Sequence, residues 1–383
     1  MKKILCIFGT RPEAIKMAPV VKHLENSKFK VKVCVSAQHR HMLDQVLEIF
    51  EIKPDYDLNI MQEGQSLYHI TTSCLERLRN VLDKENPDLA LVHGDTTTTF
   101  ASTLACFYKK IPVGHVEAGL RTYDNFNPYP EELNRVLTDK ICELLFAPTK
   151  TARENLLKEN VPPEKIFVTG NTVIDALFLA LKKKHKFRNP LLKKIFKNRQ
   201  CQSTSQLKRY ILVTAHRREN FGKPIENICY ALRKIAEEFN DVEIIYPVHL
   251  NPNVQSAVKK ILSNHPRIHL IEPLDYLDFI NLMKNSYIVV TDSGGLQEEA
   301  PALGKPVLVL RKVTERPEAV LAGTAKVVGV EKNRIFSSIK ELLENKNVYN
   351  KMAKAKNPYG DGRASERILR IIESFFSSRA VKW

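Results

Sequence analysis

Three carboxylates stand where proton transfer could be organised. Asp95 follows Leu91-Val92-His93-Gly94, Glu117 follows Val113-Gly114-His115-Val116, and Glu131 lies in Pro128-Tyr129-Pro130-Glu131-Glu132-Leu133-Asn134-Arg135. Acids converging on one cleft become candidates for general acid–base work, because mutual repulsion and partial burial raise a pKa toward neutrality. The competing reading is capping: Asp95 precedes Thr96-Thr97-Thr98-Thr99, and Glu131 or Glu132 suits a helix's first turn. A second set points to phosphate. Asp292-Ser293-Gly294-Gly295-Leu296-Gln297-Glu298-Glu299 follows the apolar run Tyr287-Ile288-Val289-Val290, and the order strand, glycine turn, helix start builds an anion site from unpaired N–H groups. Glu299, further along, would repel phosphate but accept hydrogen bonds from a ribose diol. A nucleoside diphosphate is the expected ligand; an ordinary helix with Asp292 or Ser293 as N-cap is the alternative.

The same pattern occurs at two other strand ends. Gly9-Thr10-Arg11-Pro12-Glu13-Ala14-Ile15-Lys16 sets Arg11 and Lys16 at a helix N-terminus, an unfavourable place for cations unless an anion is bound. It is neither GxxxxGK[ST] nor GxGxxG. His216-Arg217-Arg218-Glu219-Asn220 puts a histidine between a strand and two arginines, which suits phosphate binding or proton donation by His216. Histidines 93, 115 and 249 lack metal-ligand spacing, so no metal site is expected. Phe279, in Leu274-Asp275-Tyr276-Leu277-Asp278-Phe279, reads as core or as the cover of a base.

These residues must be positioned by α/β units. Short apolar runs alternate with amphipathic stretches, predicting strands at Ile4–Phe8, Val31–Ser36, Leu89–His93, Pro112–Val116, Leu144–Ala147 and Ile166–Thr169. The alternation restarts with Tyr210–Thr214, Val242–Val248, Ile268–Ile271, Tyr287–Thr291, Val307–Leu310 and Lys326–Val328. Helical patterns include Glu13–Leu24, Leu67–Leu82 and about Arg363–Phe376. Two doubly wound Rossmann-like domains with parallel sheets are expected. The boundaries are 1–170, with residues 363–383 packing back on it, and 171–362, the join lying near Gly170-Asn171 or in the basic region just after it. Ligands of such sheets bind outside the carboxyl ends of the strands, so the residues at those ends are the ones to read.

Composition narrows the classes. The 383 residues are 43% hydrophobic and carry 59 Lys and Arg against 43 Asp and Glu, a net charge of +16. Much of the excess lies in the basic segment 182–209, read as a surface insertion or linker with a solvated helical face; nucleic-acid or membrane docking is the minority reading. Seven scattered cysteines, never spaced as CxxC, suit a reducing compartment. No apolar run reaches membrane-spanning length, and a cytoplasmic protein is expected.

Together GTRPEAIK, HGDTTTT, GHVEAGLRT, PEELNR, HRREN, DSGGLQEEAPALGKPV and TERPEAV, in this order over nearly the whole chain, resemble the non-hydrolysing UDP-N-acetylglucosamine 2-epimerases. The resemblance implies a GT-B-like fold with substrate between the domains, and interconversion of UDP-GlcNAc and UDP-ManNAc for cell-surface polysaccharide synthesis. It also implies a homodimer needing no metal or nicotinamide. By position, Arg11, Lys16, His216, Ser293, Gly294, Gly295 and Arg316 would contact substrate, mainly UDP; Glu299 would bind ribose, and Leu274 and Phe279 uracil. Asp95, Glu117 and Glu131 match the family's catalytic carboxylates, with Arg135 close by. The mechanism implied expels UDP to leave 2-acetamidoglucal and returns it with protonation on the opposite face.

Three rivals remain at this point: a hydrolysing relative releasing N-acetylmannosamine, a GT-B glycosyltransferase, and a nucleic-acid or membrane-binding protein. A regulatory UDP-GlcNAc site is open as well. Gln38-His39-Arg40 and His249 are placed to help form one, but Gly64-Gln65-Ser66 offers no cation where some regulated relatives have arginine.

Overall fold

Residues 1–37, 40–199 and 208–380 are described by a computed structural model; Gln38 and His39 of the suggested regulatory site lie outside them. The chain divides into two compact units. Unit 1 is Met1–Ala180 and resumes at Tyr359; unit 2 is Leu181–Pro358. The first crossing falls between Ala180 and Leu181, at the edge of the basic region rather than at Gly170, because the helix Thr172–Leu181 packs with unit 1.

Unit 1 holds β1 (Lys3–Phe8), β2 (Lys30–Val35), β3 (Tyr56–Asp57), β4 (Leu89–His93), β5 (Val113–Val116), β6 (Leu144–Ala147) and β7 (Ile166–Val168). Unit 2 holds β8 (Arg209–Thr214), β9 (Val242–Pro247), β10 (Ile268–Ile271), β11 (Ile288–Thr291), β12 (Val307–Val309) and β13 (Ala325–Val327). The sheet orders are β3-β2-β1-β4-β5-β6-β7 and β10-β9-β8-β11-β12-β13, with parallel pairing throughout. Strands covered on both faces must be apolar on both, and β4 and β11 are buried at every position. Each sheet reverses its winding between its first and fourth strands in sequence, β1 beside β4 and β8 beside β11. The carboxyl ends of those pairs are the expected ligand crevices.

Helices begin at side-chain caps that the sequence spells out: Ser66 accepts from His69 N and Thr149 from Ala152 N. The chain's return to unit 1 is fixed by Asp175, which accepts from Ala364 N and Ser365 N at 3.1 and 2.8 Å, and by Asn171 N donating to Tyr359 O at 2.7 Å. The basic segment, expected as a partly apolar insertion with a solvated helical face, is partly built in. Its helix Pro190–Arg199 buries Leu192, while Phe187 stacks on Phe196 at 4.8 Å and Phe196 meets Tyr210 at a tilt at 5.4 Å. Buried Asp278 accepts from Arg188 N and Asn189 N. Among the described residues no helix is long and apolar enough to cross a membrane.

Candidate active site

The turn after β1 is made by close packing. A Cβ on Gly9 would lie 1.9 Å from Ser36 Oγ, so no side chain fits. Buried Glu13 closes the turn: it accepts from Gly9 N at 2.9 Å and Thr10 N at 2.7 Å, and from the hydroxyls of Thr96 and Thr99 at 2.7 and 2.8 Å. Glu13 thereby ties the loop after β1 to the loop after β4. Arg11, the first residue of the helix Arg11–Glu25, is half-buried and makes no ion pair among the described residues. Lys16, one turn on, reaches across to Glu117, 2.8 Å from Oε1 and 2.5 Å from Oε2. Two residues assigned to opposite ends of a nucleotide sugar are thus paired with each other.

Glu117 lies one residue past β5, with backbone φ of +72°. A side chain in the left-handed region costs of order 1–3 kcal/mol and persists only where its surroundings impose it. Here the N–H groups of Glu117 and Ala118 both donate to Phe146 O, at 3.1 and 3.2 Å, while the carboxylate accepts from Lys16 and from Asn171 Nδ2, the latter to Oε2 at 2.7 Å. His93, the last residue of β4, has Nε2 3.8 Å from the same oxygen. Burial pushes its pKa down to about 3, outweighing the pull of the carboxylate, so the ring is neutral and this is no ion pair. His115 is structural: its ring nitrogens face Asp139 at 2.6 Å and Gly94 O at 2.7 Å, pinning the loop after β4 to β5.

Asp95 does not cap the next helix; Thr96 does, accepting from Thr99 N at 3.2 Å. The Asp95 carboxylate instead receives Arg135 through Nε at 3.0 Å and Nη2 at 2.7 Å, and Asn134 Nδ2 fixes its carbonyl at 2.9 Å. Burial works against the Arg135 charge, but Asp95 and Glu132 outweigh it and raise its pKa. Glu131 opens the helix Glu131–Ile141, one turn before Arg135 and therefore on the same face. Its neighbour Glu132 does the loop bonding, accepting from Thr122 N and Tyr123 N at 2.9 Å. Glu131 Oε2 is buried and has no hydrogen-bond partner among the described residues. Asp95 is paired with Arg135 and Glu117 with Lys16, whereas Glu131 has no cation among the described residues.

Unit 2 carries the loops expected from the sequence to bind phosphate. Asp292, fully buried beyond β11, is not an N-cap; Gly295 takes that position in the helix Leu296–Ala302. Asp292 Oδ2 accepts from His216 N, Arg217 N and Asn220 Nδ2 at 2.8, 2.8 and 3.0 Å, joining the loop after β8 to that after β11. His216 Nδ1 is 3.5 Å from Asp292 Oδ1, and its ring stacks on His249 at 5.4 Å. Burial lowers the His216 pKa, Asp292 opposes that, and His249 and Arg217 add to the lowering. Ser293 N donates to Thr291 Oγ1 at 2.9 Å. The Arg316 guanidinium lies against Gly294, 3.8 Å from where a Cβ would stand, and is bonded to Glu298. Glu299 folds back over Gly295 in the same way, its Oε2 3.8 Å from the position of a Cβ there. The glycines thus leave room for charged side chains as well as for a ligand. Leu274 and Phe279 flank the first turn of the helix Tyr276–Asn285, and both are half-buried rather than core.

Sequence reasoning missed Glu13, Asn171 and Glu298. Glu13 stood inside a quoted motif with Thr96 and Thr99 in another, but nothing in the spacing joins them. Among the described residues no cluster of His, Cys, Asp and Glu suits a metal.

The family model for UDP-N-acetylglucosamine 2-epimerase matches residues 22–373. The chain belongs to the UDP-N-acetylglucosamine 2-epimerase family. The UDP-N-acetylglucosamine 2-epimerase of Salmonella typhimurium is 54% identical over 374 residues, covering 97% of this chain and 99% of the relative. The crystal structure of UDP-GlcNAc 2-epimerase from Neisseria meningitidis, bound to UDP-GlcNAc, matches with TM-score 0.85 and 52% identity over 97% of this chain and 100% of that one. A glycotransferase of kitacinnamycin, 11% identical, shares the fold alone at TM-score 0.63 over 96% and 98% of the two chains. The fold is accordingly GT-B-like, and the family is one of isomerases.

Proposed function

We propose that the chain interconverts UDP-GlcNAc and UDP-ManNAc by epimerisation at C2, without hydrolysis. The observation that carries this reading is Glu117, at +72° beyond β5 with its carboxylate bonded by Lys16 and Asn171, in a chain 54% identical to a named epimerase. The C2 proton has no adjacent carbonyl to acidify it. Cleavage of C1–O first, with the electron pair leaving on UDP, gives C1 oxocarbenium character and acidifies C2. Transfer of that proton to a carboxylate leaves the C1=C2 bond of 2-acetamidoglucal. Reversal adds the UDP oxygen to C1 and a proton to the other face of C2.

Asp95, Glu117 and Glu131 are the proton-transfer groups in this reading. Arg11, Lys16, His216, Ser293, Gly294, Gly295 and Arg316 hold UDP, with Glu299 on ribose and Leu274 and Phe279 on uracil. Because departure of UDP creates the acidity, the cationic grip contributes as much as the carboxylates. We further propose that the protein acts in the cytoplasm as a homodimer, supplying activated sugar for cell-surface polysaccharide. Incubation with UDP-GlcNAc in deuterated buffer, followed by proton NMR, tests the activity: UDP-ManNAc deuterated at C2 is expected. Free N-acetylmannosamine with UDP would mean hydrolysis, and unchanged substrate would exclude both.

A further inference from the structure

His93 is the unexplained group of unit 1. It closes β4 beside Val116 in the parallel register, is 2% exposed, and has no hydrogen-bond partner on either Nδ1 or Nε2 among the described residues. A buried imidazole with two orphaned nitrogens destabilises a fold, whereas an aliphatic residue at that strand position would not. Its nearest charged oxygen is Glu117 Oε2 at 3.8 Å, a gap that a side-chain movement of about 1 Å closes to hydrogen-bond length.

Glu117 is held by side chains that can let go. Lys16 supplies its cation and Asn171 a neutral donor. A carboxylate paired with an ammonium is a weak base; one that keeps its position on a neutral partner is a stronger one. A diphosphate carries more charge than a carboxylate and competes for Lys16. We propose that His93 is a positioning residue that takes the Glu117 carboxylate when Lys16 turns to the substrate's diphosphate. The exchange keeps the oxygen in place, since the left-handed backbone at Glu117 allows it few other directions, and replaces a cationic partner by a neutral one at the moment a base is needed. This inference rests on the proposed epimerase activity.

Three variants test it on the full-length protein: His93→Gln, which restores a polar atom near the Nε2 position, His93→Asn, which reaches only the Nδ1 position, and His93→Phe, which removes both. The Asn and Phe variants should lose roughly 100-fold in kcat, the scale of a small misplacement of a reacting group. Their KM for UDP-GlcNAc and Kd for UDP should stay within about threefold, and His93→Gln should recover to within about tenfold of the parent. Deuterium entry at C2 should fall in parallel with kcat. Full turnover by His93→Phe overturns the inference, as does a Gln variant no better than Asn or Phe, which would mean that ring shape alone matters. Should His93→Phe not fold, the Gln and Asn pair decides. Failure of the unaltered protein to epimerise would instead overturn the activity itself.

Discussion

Beyond β5, Glu117 takes its hydrogen bonds from side chains, Lys16 Nζ and Asn171 Nδ2. Beyond β11, Asp292 takes two of its three from the backbone, His216 N and Arg217 N, and the third from Asn220. Both acids are buried and stand just past parallel strands, yet one sits on a strained residue among movable partners and the other is bonded to main chain. A carboxylate satisfied by backbone N–H groups is committed to shaping its loop. One satisfied by a lysine and an asparagine can exchange partners, which chemistry requires.

The largest effect should come from Glu117→Gln. It keeps the shape and the bond from Asn171 but removes the proposed proton-transfer group, and kcat should fall 10²- to 10⁴-fold, the usual range for a general acid or base. The urea midpoint should fall only by the loss of the ion pair with Lys16, whose side chain is 16% exposed; a variant that unfolds instead would erase the contrast with Asp292. Asp292→Ala should do the reverse, destabilising unit 2 by about 3 kcal/mol because buried donors lose a charged acceptor. Chemical denaturation monitored in unit 2 would detect it, and an unchanged midpoint would contradict the structural role.

Acid distinguishes the histidine beside Glu117 from the one beside Asp292. His93 is held at about 3 in the folded chain, whereas an unfolded imidazole takes its proton near 6.5. Between those values the unfolded state binds more protons, so lowering the pH from 6.5 toward 3 costs stability at up to about 1.4 kcal/mol per unit. The loss should be shallower in His93→Gln than in the parent. His216 is lowered in the same direction, but it is partly exposed, so His216→Asn should flatten the profile less. The smallest effects should come from single donors. Asn220→Ala should cost about 1 kcal/mol of stability, a typical buried hydrogen bond. Asn171→Ala should cost a similar amount and, in addition, several-fold in kcat; equal turnover by both would weaken the distinction drawn here.

Strands were legible because a parallel sheet covered on both faces demands unbroken apolar runs, and Ile4–Phe8 and Leu144–Ala147 supply them. β3 escaped notice because Tyr56-Asp57 is a two-residue edge strand with no such run. Residue types at strand ends were legible too, since topology sends ligands there. Pairings were not. Asp292 looked like a local cap, but its partners are 72–76 positions earlier in the chain, brought alongside only because β8 and β11 are neighbours. Lys16 and Glu117 are 101 residues apart, and no local rule connects them.

The route of the chain has a consequence for synthesis. Unit 2 is one continuous stretch, but unit 1 is finished only when the segment after Tyr359 docks through Asp175 and Asn171. On the ribosome the second-made unit can therefore complete its fold before the first-made one. A nascent chain stalled just beyond Pro358, with enough linker to clear the exit tunnel, should protect Leu181–Pro358 from protease while leaving the earlier residues open to cleavage. Fusing a reporter to the C-terminus should then slow maturation of the carboxylate-bearing unit and leave the other untouched.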